Sequence, residues 1–143
     1  MSVELRKAAS EDTAQLAAMS QRLSEATAST FMPLTKHITR VRREMELYET
    51  ALIFDEGRLV GYLMYLSRED PEDRSRVVHL HRLFIEPTER RRGTGRKALE
   101  QVLEPLASRT QVFLAVKPGN KAALAFYKAL SFEVTLLTMK RVV

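Results

Sequence analysis

The chain has 143 residues, 45% of them hydrophobic and 29% charged, which suits one soluble domain with a real core and argues against disorder. It holds no cysteine, which excludes disulfides, thiolate metal sites and a cysteine nucleophile. Its three histidines (His37, His79, His81) argue against a multi-histidine metal site. No apolar run reaches eighteen residues and the opening MSVELRKAASED carries no apolar signal core, so the expected location is the cytoplasm, without membrane contact.

In chain order, VELRKA alternates as a first strand, and Ser10 with Glu11 and Asp12 reads as the capped start of a helix. Leu16, Met19 and Leu23 carry that helix to about residue 26, and residues 24–33 read as a loop. Ile38, Val41, Met45 and Tyr48 recur at helical spacing, with Arg40, Arg42 and Arg43 on the solvated side. ALIFDEGRLVGYLMYLS is a hairpin whose turn places Gly57 where positive φ is needed. After the charged loop SREDPEDRSR, VVHLHRLFIEP reads as a central strand. A helix follows the glycines with Ala98, Leu99, Val102, Leu103 and Leu106 on one face, and Pro105 ends or kinks it. QVFLAV is a short strand, Asn120 caps the helix KAALAFYKAL, and FEVTLLTMKRVV closes with one or two strands. The order β-α-α-β-β-β-α-β-α-β predicts a single α/β domain over residues 1–143, with helices on the faces of one mixed sheet.

The segment ERRRGTGRKALE needs a physical reason. The net charge is +5, and residues 89–97 alone carry +4. Such concentrated basicity fits a small polyanion better than a long duplex. The glycines fall at a loop-to-helix junction, where unpaired amides and the helix dipole favour an anion and the absence of Cβ lets a phosphate approach. Arginines add charge-assisted bonds to phosphoryl oxygens. The plainer alternative is a solvated arginine run beside a tight turn. Gly93-Thr94-Gly95-Arg96-Lys97-Ala98 satisfies G-x-G-x-x-A, but seven mostly polar residues separate it from the strand and no acid ends the next strand. The P-loop spacing is absent too.

Read instead as Arg90-x-x-Gly93-x-Gly95, the stretch LHRLFIEP-TERRRGTGRKALE, a strand, Asn120 and AFYKALSF together resemble the GNAT (general-control-related N-acetyltransferase) superfamily. The resemblance implies an acyl-CoA N-acyltransferase fold with about four helices, acetyl-CoA as cosubstrate and direct acetyl transfer to a primary amine. It implies that Leu83, Phe84 and Ile85 offer backbone groups to the pantetheine arm and thioester in a splay between strands. Arg90, Arg91, Arg92, Gly93, Thr94, Gly95 and Arg96 would line the pyrophosphate. Asn120 matches an asparagine that touches the cofactor arm, and also suits a plain N-cap. Tyr127 matches the general acid for the departing thiolate, or packs beside Phe126. Its reference pKa lies about 1.5 units above a thiol's, roughly 2 kcal/mol uphill, which favours hydrogen bonding to the thiolate over full donation.

The chain departs from the family where a glutamate commonly precedes the loop on the strand, since His81 stands just before Arg82. His81 or His79, two apart on one strand face, is then the candidate base, directly or through water; both equally suit a purely structural role. Ser131 stands where the family usually has glycine. If that position needs positive φ, serine costs roughly 1 kcal/mol there. The acceptor stays open between a small amine and a peptide or protein amine, and a homodimer is common in the family. Two other functions compete: a CoA-binding regulatory module without catalysis, and a nucleic-acid-binding basic protein, which lacks aromatic interleaving.

Overall fold

A computed structural model describes residues 2–26, 31–106 and 109–143. Strand β1 (Val3–Lys7) leads to helices α1 (Thr13–Ala26) and α2 (Leu34–Leu47). Strands β2 (Glu49–Asp55), β3 (Arg58–Glu69) and β4 (Arg76–Ile85) follow, then α3 (Thr94–Leu103), β5 (Thr110–Phe113) and α4 (Lys121–Ala129). The sheet order is β1-β2-β3-β4-β5, antiparallel throughout except for the parallel β4–β5 pair. The mixed α/β sheet expected from the element order is therefore present, with four α-helices around it among the described residues.

Helices α1 and α2 cover one face, where Leu16, Met19, Val41, Leu52, Tyr62, Met64 and Phe84 are buried together. Helix α3 covers the other, where Ala98 packs with Val3, Ile53, Val60 and Leu63. The β2–β3 turn has Glu56 and Gly57 both at positive φ (50° and 80°), the two-residue geometry that matches strand twist.

Several local expectations change. The first helix is entered through a 3-10 turn, Ser10–Asp12, rather than capped by Ser10. Asp12 Oδ2 takes the Ala9 amide at 2.7 Å, and that bond, with Arg6 beside it, holds the Asp12 carboxyl below its usual range. The charged loop shrinks to residues 70–75 because Arg68 and Glu69 still pair with Val77 and Arg76. Arg40 is half-buried rather than solvated, for the reason given below. Residues 27–30 of the expected loop after α1 lie outside the described residues.

The largest departure is at the end. Residues 133–143 form no strand and are exposed, with Leu136, Leu137 and Met139 each at least 80% accessible. A strand exists through its ladder, and the four-residue β5 offers a short edge that this segment does not join. The terminal strand of the expected order is thus not formed by residues 133–143.

Candidate active site

β4 carries the site because two irregularities shape it. Its parallel ladder with β5 stops at His79↔Phe113, so beyond His79 its β5-facing edge has no strand partner among the described residues. On its other side Glu86 N–H donates to Val60 O at 2.8 Å. By the alternation of an antiparallel pair, Phe84 bonds Tyr62, while Leu83 and Ile85 turn their backbone groups toward the open edge. Ile85 O confirms the direction by accepting Arg90 Nε at 2.9 Å. Of the three residues assigned to the pantetheine arm, Leu83 and Ile85 face the open edge, with Ile85 O already bonded to Arg90, and Phe84 does not.

The glycine loop follows at once. Pro87–Glu89 make a 3-10 turn, Arg91 sits at φ 64°, and Gly93 at φ 77° precedes α3 without a side-chain cap. The first amides of α3 therefore lack a capping acceptor. Thr94 Oγ1 beside them is buried with no hydrogen-bond partner among the described residues. Both are donors suited to an anion. Glu89 is buried and pins the loop from below, pairing with Arg58 at 2.5 Å and Arg92 at 3.3 Å. Arg96 pairs with Glu100 at 2.9 Å. Arg90 lies against Phe84, 5.8 Å from the ring centre. Arg91 is exposed, with no ion pair among the described residues. The loop thus divides its cations: Arg92 is held by Glu89, and Arg91 is available.

Gly95 is buried, and a Cβ there would stand 3.4 Å from Phe126 and 3.5 Å from Ile85. This contact brings α4 to the loop and sets Tyr127 close behind it. Tyr127 packs edge-on against Phe126 and Phe132, and burial pushes its phenol up to about 12. Asn120 Oδ1 accepts the Ala123 amide at 3.1 Å, so its cap role is present in the structure. Ser131 has φ 71°, the positive-φ position the sequence pointed to.

The second irregularity is a bulge. Leu80 pairs with Tyr65 and Arg82 with Met64, leaving His81 as the extra residue on β4. A bulge breaks strict alternation, so consecutive side chains can share a face. His81 Nε2 and Arg82 Nε both reach Glu44 Oε2 on α2, at 2.5 and 3.0 Å. Tyr48 stacks on the His81 ring at 4.2 Å with only 3° between planes. His79 is exposed, its ring 6.5 Å from that of His81, consistent with a shared face.

Behind Glu44 lies a buried polar row. Arg40 donates to Ser20 Oγ at 2.8 Å and to His37 Nδ1 at 3.2 Å, and approaches Glu44 Oε1 at 3.8 Å. Because Arg40 can only donate, His37 Nδ1 accepts and the proton sits on Nε2. Burial, with the Arg40 charge second, holds the His37 imidazole below its usual range. Glu44, His37, Arg40, Ser20 and Tyr48 were not legible as site residues from apolar spacing. The available signal was that positions 37, 41, 44 and 48 fall on one stripe, two of them polar.

The acetyltransferase (GNAT) family's sequence profile matches residues 16–132. Over 108 residues the chain is 26% identical to a spermine/spermidine N(1)-acetyltransferase of Bacillus subtilis, covering 72% of this chain and 71% of that one. It is 34% identical over 79 residues to the N-alpha-acetyltransferase RimI of Mycobacterium tuberculosis, 54% of this chain and 47% of that protein. A possible acetyltransferase from Clostridium difficile shares the fold, with a TM-score of 0.79 at 15% identity over 98% and 96% of the two chains. The chain belongs to the acetyltransferase (GNAT) family. Its enzyme class is accordingly acetyl-CoA-dependent N-acetyltransferase.

Proposed function

We propose that this chain moves an acetyl group from acetyl-CoA to a primary amine by direct attack, with the loop and β4 edge described above as the cosubstrate site. The observation that carries this reading is the juxtaposition of an unpaired β4 edge with the uncapped, glycine-led start of α3. Leu83 and Ile85 offer backbone groups to an amide-bearing arm. The α3 amides, Thr94 Oγ1 and Arg91 receive the pyrophosphate, with Arg90, Arg92 and Arg96 adding field, and Asn120 lies on the adjoining helix.

The residues then divide the chemistry. Attack by a neutral amine nitrogen forms the C–N bond as the C–S bond breaks. The nitrogen's proton passes to His81, directly or through water, and His79 is the alternative acceptor. Tyr127, a phenol throughout the working pH range, donates a hydrogen bond to the departing sulfur. With its phenol near 12 and a thiol near 8.5, full proton transfer would be roughly 5 kcal/mol uphill.

The acceptor is an amine-bearing small molecule, peptide or protein; one relative is a spermine/spermidine N(1)-acetyltransferase and another an N-alpha-acetyltransferase. A cytoplasmic location fits the cysteine-free composition, which needs no oxidising compartment. Among the described residues no helix is long and apolar enough to cross a membrane.

The test is calorimetric titration with acetyl-CoA, using NADPH and a short DNA duplex as controls. Acetyl-CoA should bind, and Arg91→Ala should weaken it roughly tenfold through loss of a charge-assisted bond. Thiol release should then appear with at least one of spermidine, an aminoglycoside and a peptide with a free N-terminus. Binding of NADPH or DNA in place of acetyl-CoA would refute the reading, and acetyl-CoA binding without turnover on any amine would favour a regulatory module.

A further inference from the structure

We infer that Glu44 is a positioning residue for the transfer: it fixes His81 as the Nε2–H tautomer, leaving the Nδ1 lone pair as the proton acceptor. This rests on the amine-acetylation reading. The carboxylate thus comes from α2, across the core, and not from β4 itself.

The geometry is specific. His81 Nε2 lies 2.5 Å from Glu44 Oε2, and a carboxylate at that distance must receive a proton from the ring. The ring cannot turn away easily, because Tyr48 lies flat against it at 4.2 Å. The carboxylate is equally fixed. Arg82 Nε holds the same oxygen at 3.0 Å, Arg40 approaches the other at 3.8 Å, and Glu44 is buried. The bulge at His81 is what allows two consecutive β4 residues to converge on one oxygen.

Charged and titratable groups face His81 and its carboxylate partner from three elements. From α2 and its end come Glu44, Arg40 and Tyr48, and from β4 come Arg82 and His79. From β3 the buried phenol of Tyr62 lies within electrostatic reach of Glu44 and Arg82 rather than of the ring itself. Glu44 is the single carboxylate among them. Outer partners that hold a working imidazole set its tautomer by the bond they accept, and His81 fits that pattern.

The first readout is the long-range 15N–1H spectrum of the free protein, which distinguishes the two neutral tautomers without acetyl-CoA or amine. Wild-type His81 should be Nε2–H. Glu44→Leu, which removes the acceptor, should mix the tautomers and lower kcat about 10- to 100-fold on the best amine of the panel, with the acetyl-CoA KM within about twofold. Glu44→Asp should recover the single tautomer and part of kcat. A wild-type Nδ1–H ring overturns the inference even if no variant folds. So does a kcat that ignores the tautomer change, or an equal loss in Glu44→Asp and Glu44→Leu with the tautomer intact. If the ring is Nε2–H yet no amine is acetylated, the failure belongs to the acetyltransferase reading instead.

Discussion

Replacing Gly61 by alanine tests how β4 is held. A Cβ at this position would stand 2.1 Å from Phe84 O and 3.1 Å from both Phe84 C and the Ile85 side chain. The nearest obstacle is backbone, so no rotamer relieves it. An ordinary carbon–oxygen contact needs about 3.3 Å, so β3 and β4 must part locally by about 1 Å. That loosens the Tyr62–Phe84 pair and the neighbouring Glu86–Val60 bond of 2.8 Å. Overpacking of about 1–3 kcal/mol plus roughly 1 kcal/mol for a weakened hydrogen bond gives about 2–4 kcal/mol. In a chain of this size each kcal/mol moves Tm by about 2–4 °C, so the melt should fall by roughly 5–15 °C. Acetyl-CoA affinity should fall with it, because Ile85 O anchors Arg90 at 2.9 Å and Leu83 and Ile85 border the open edge. Gly57→Ala is the control: at φ 80° with no neighbour within 4 Å, it costs only the left-handed strain of about 1 kcal/mol. Scanning calorimetry and the acetyl-CoA titration read both effects. A Gly61→Ala melt no lower than that of Gly57→Ala would refute the close-approach argument.

Ser131→Gly should raise Tm by a few degrees, since Ser131 holds φ 71° at about 1 kcal/mol of strain; a lower Tm in calorimetry would contradict this. The buried His37, held below its usual range, binds a proton more readily when unfolded. Stability should therefore be complete above about pH 6.5 and decline as pH falls from there toward the folded value. Melts at pH 7.5 and 5.5 should show the drop, and His37→Asn should flatten it; an unchanged slope in that variant assigns the drop elsewhere. Tyr127→Phe should lower kcat about 100-fold while the wild-type rate shows no Tyr127 titration below pH 10, and a loss below twofold would remove Tyr127 from the mechanism.

The fold was legible where pattern and chemistry agreed. The Asp55-Glu56-Gly57 turn, the Asn120 cap and the stop at Pro105 are local devices, and each appears where its residues stand. Element ends were less legible because pairing decides them. QVFLAV reads as six strand residues, yet β5 keeps only Thr110–Phe113, the part that finds β4 before the two strands diverge. FEVTLLTMKRVV has strand composition on both faces, but composition does not supply a partner edge.

The candidate site divides along the same line. Residues 90–96 stand out as a candidate anion loop because their glycines and cations are adjacent in sequence, and the structure places them in one loop and the first turn of α3. The side proposed to accept the proton is not contiguous: Glu44 lies 37 residues before His81 and meets it only because α2 packs across the bulge in β4. Nothing in the HLHRL stretch announces an extra residue, since a bulge is a register difference between two strands and is visible only in their pairing. A regular strand would place His81 and Arg82 on opposite faces, and one carboxylate could not serve both. The carboxylate that the family pattern places on β4 is absent from this strand. From α2 the structure sets Glu44, one of whose oxygens takes both Arg82 Nε and His81 Nε2, with Tyr48 stacked on the histidine ring. The Glu44–His81 contact leaves no trace in linear spacing, because its two halves are joined by packing alone.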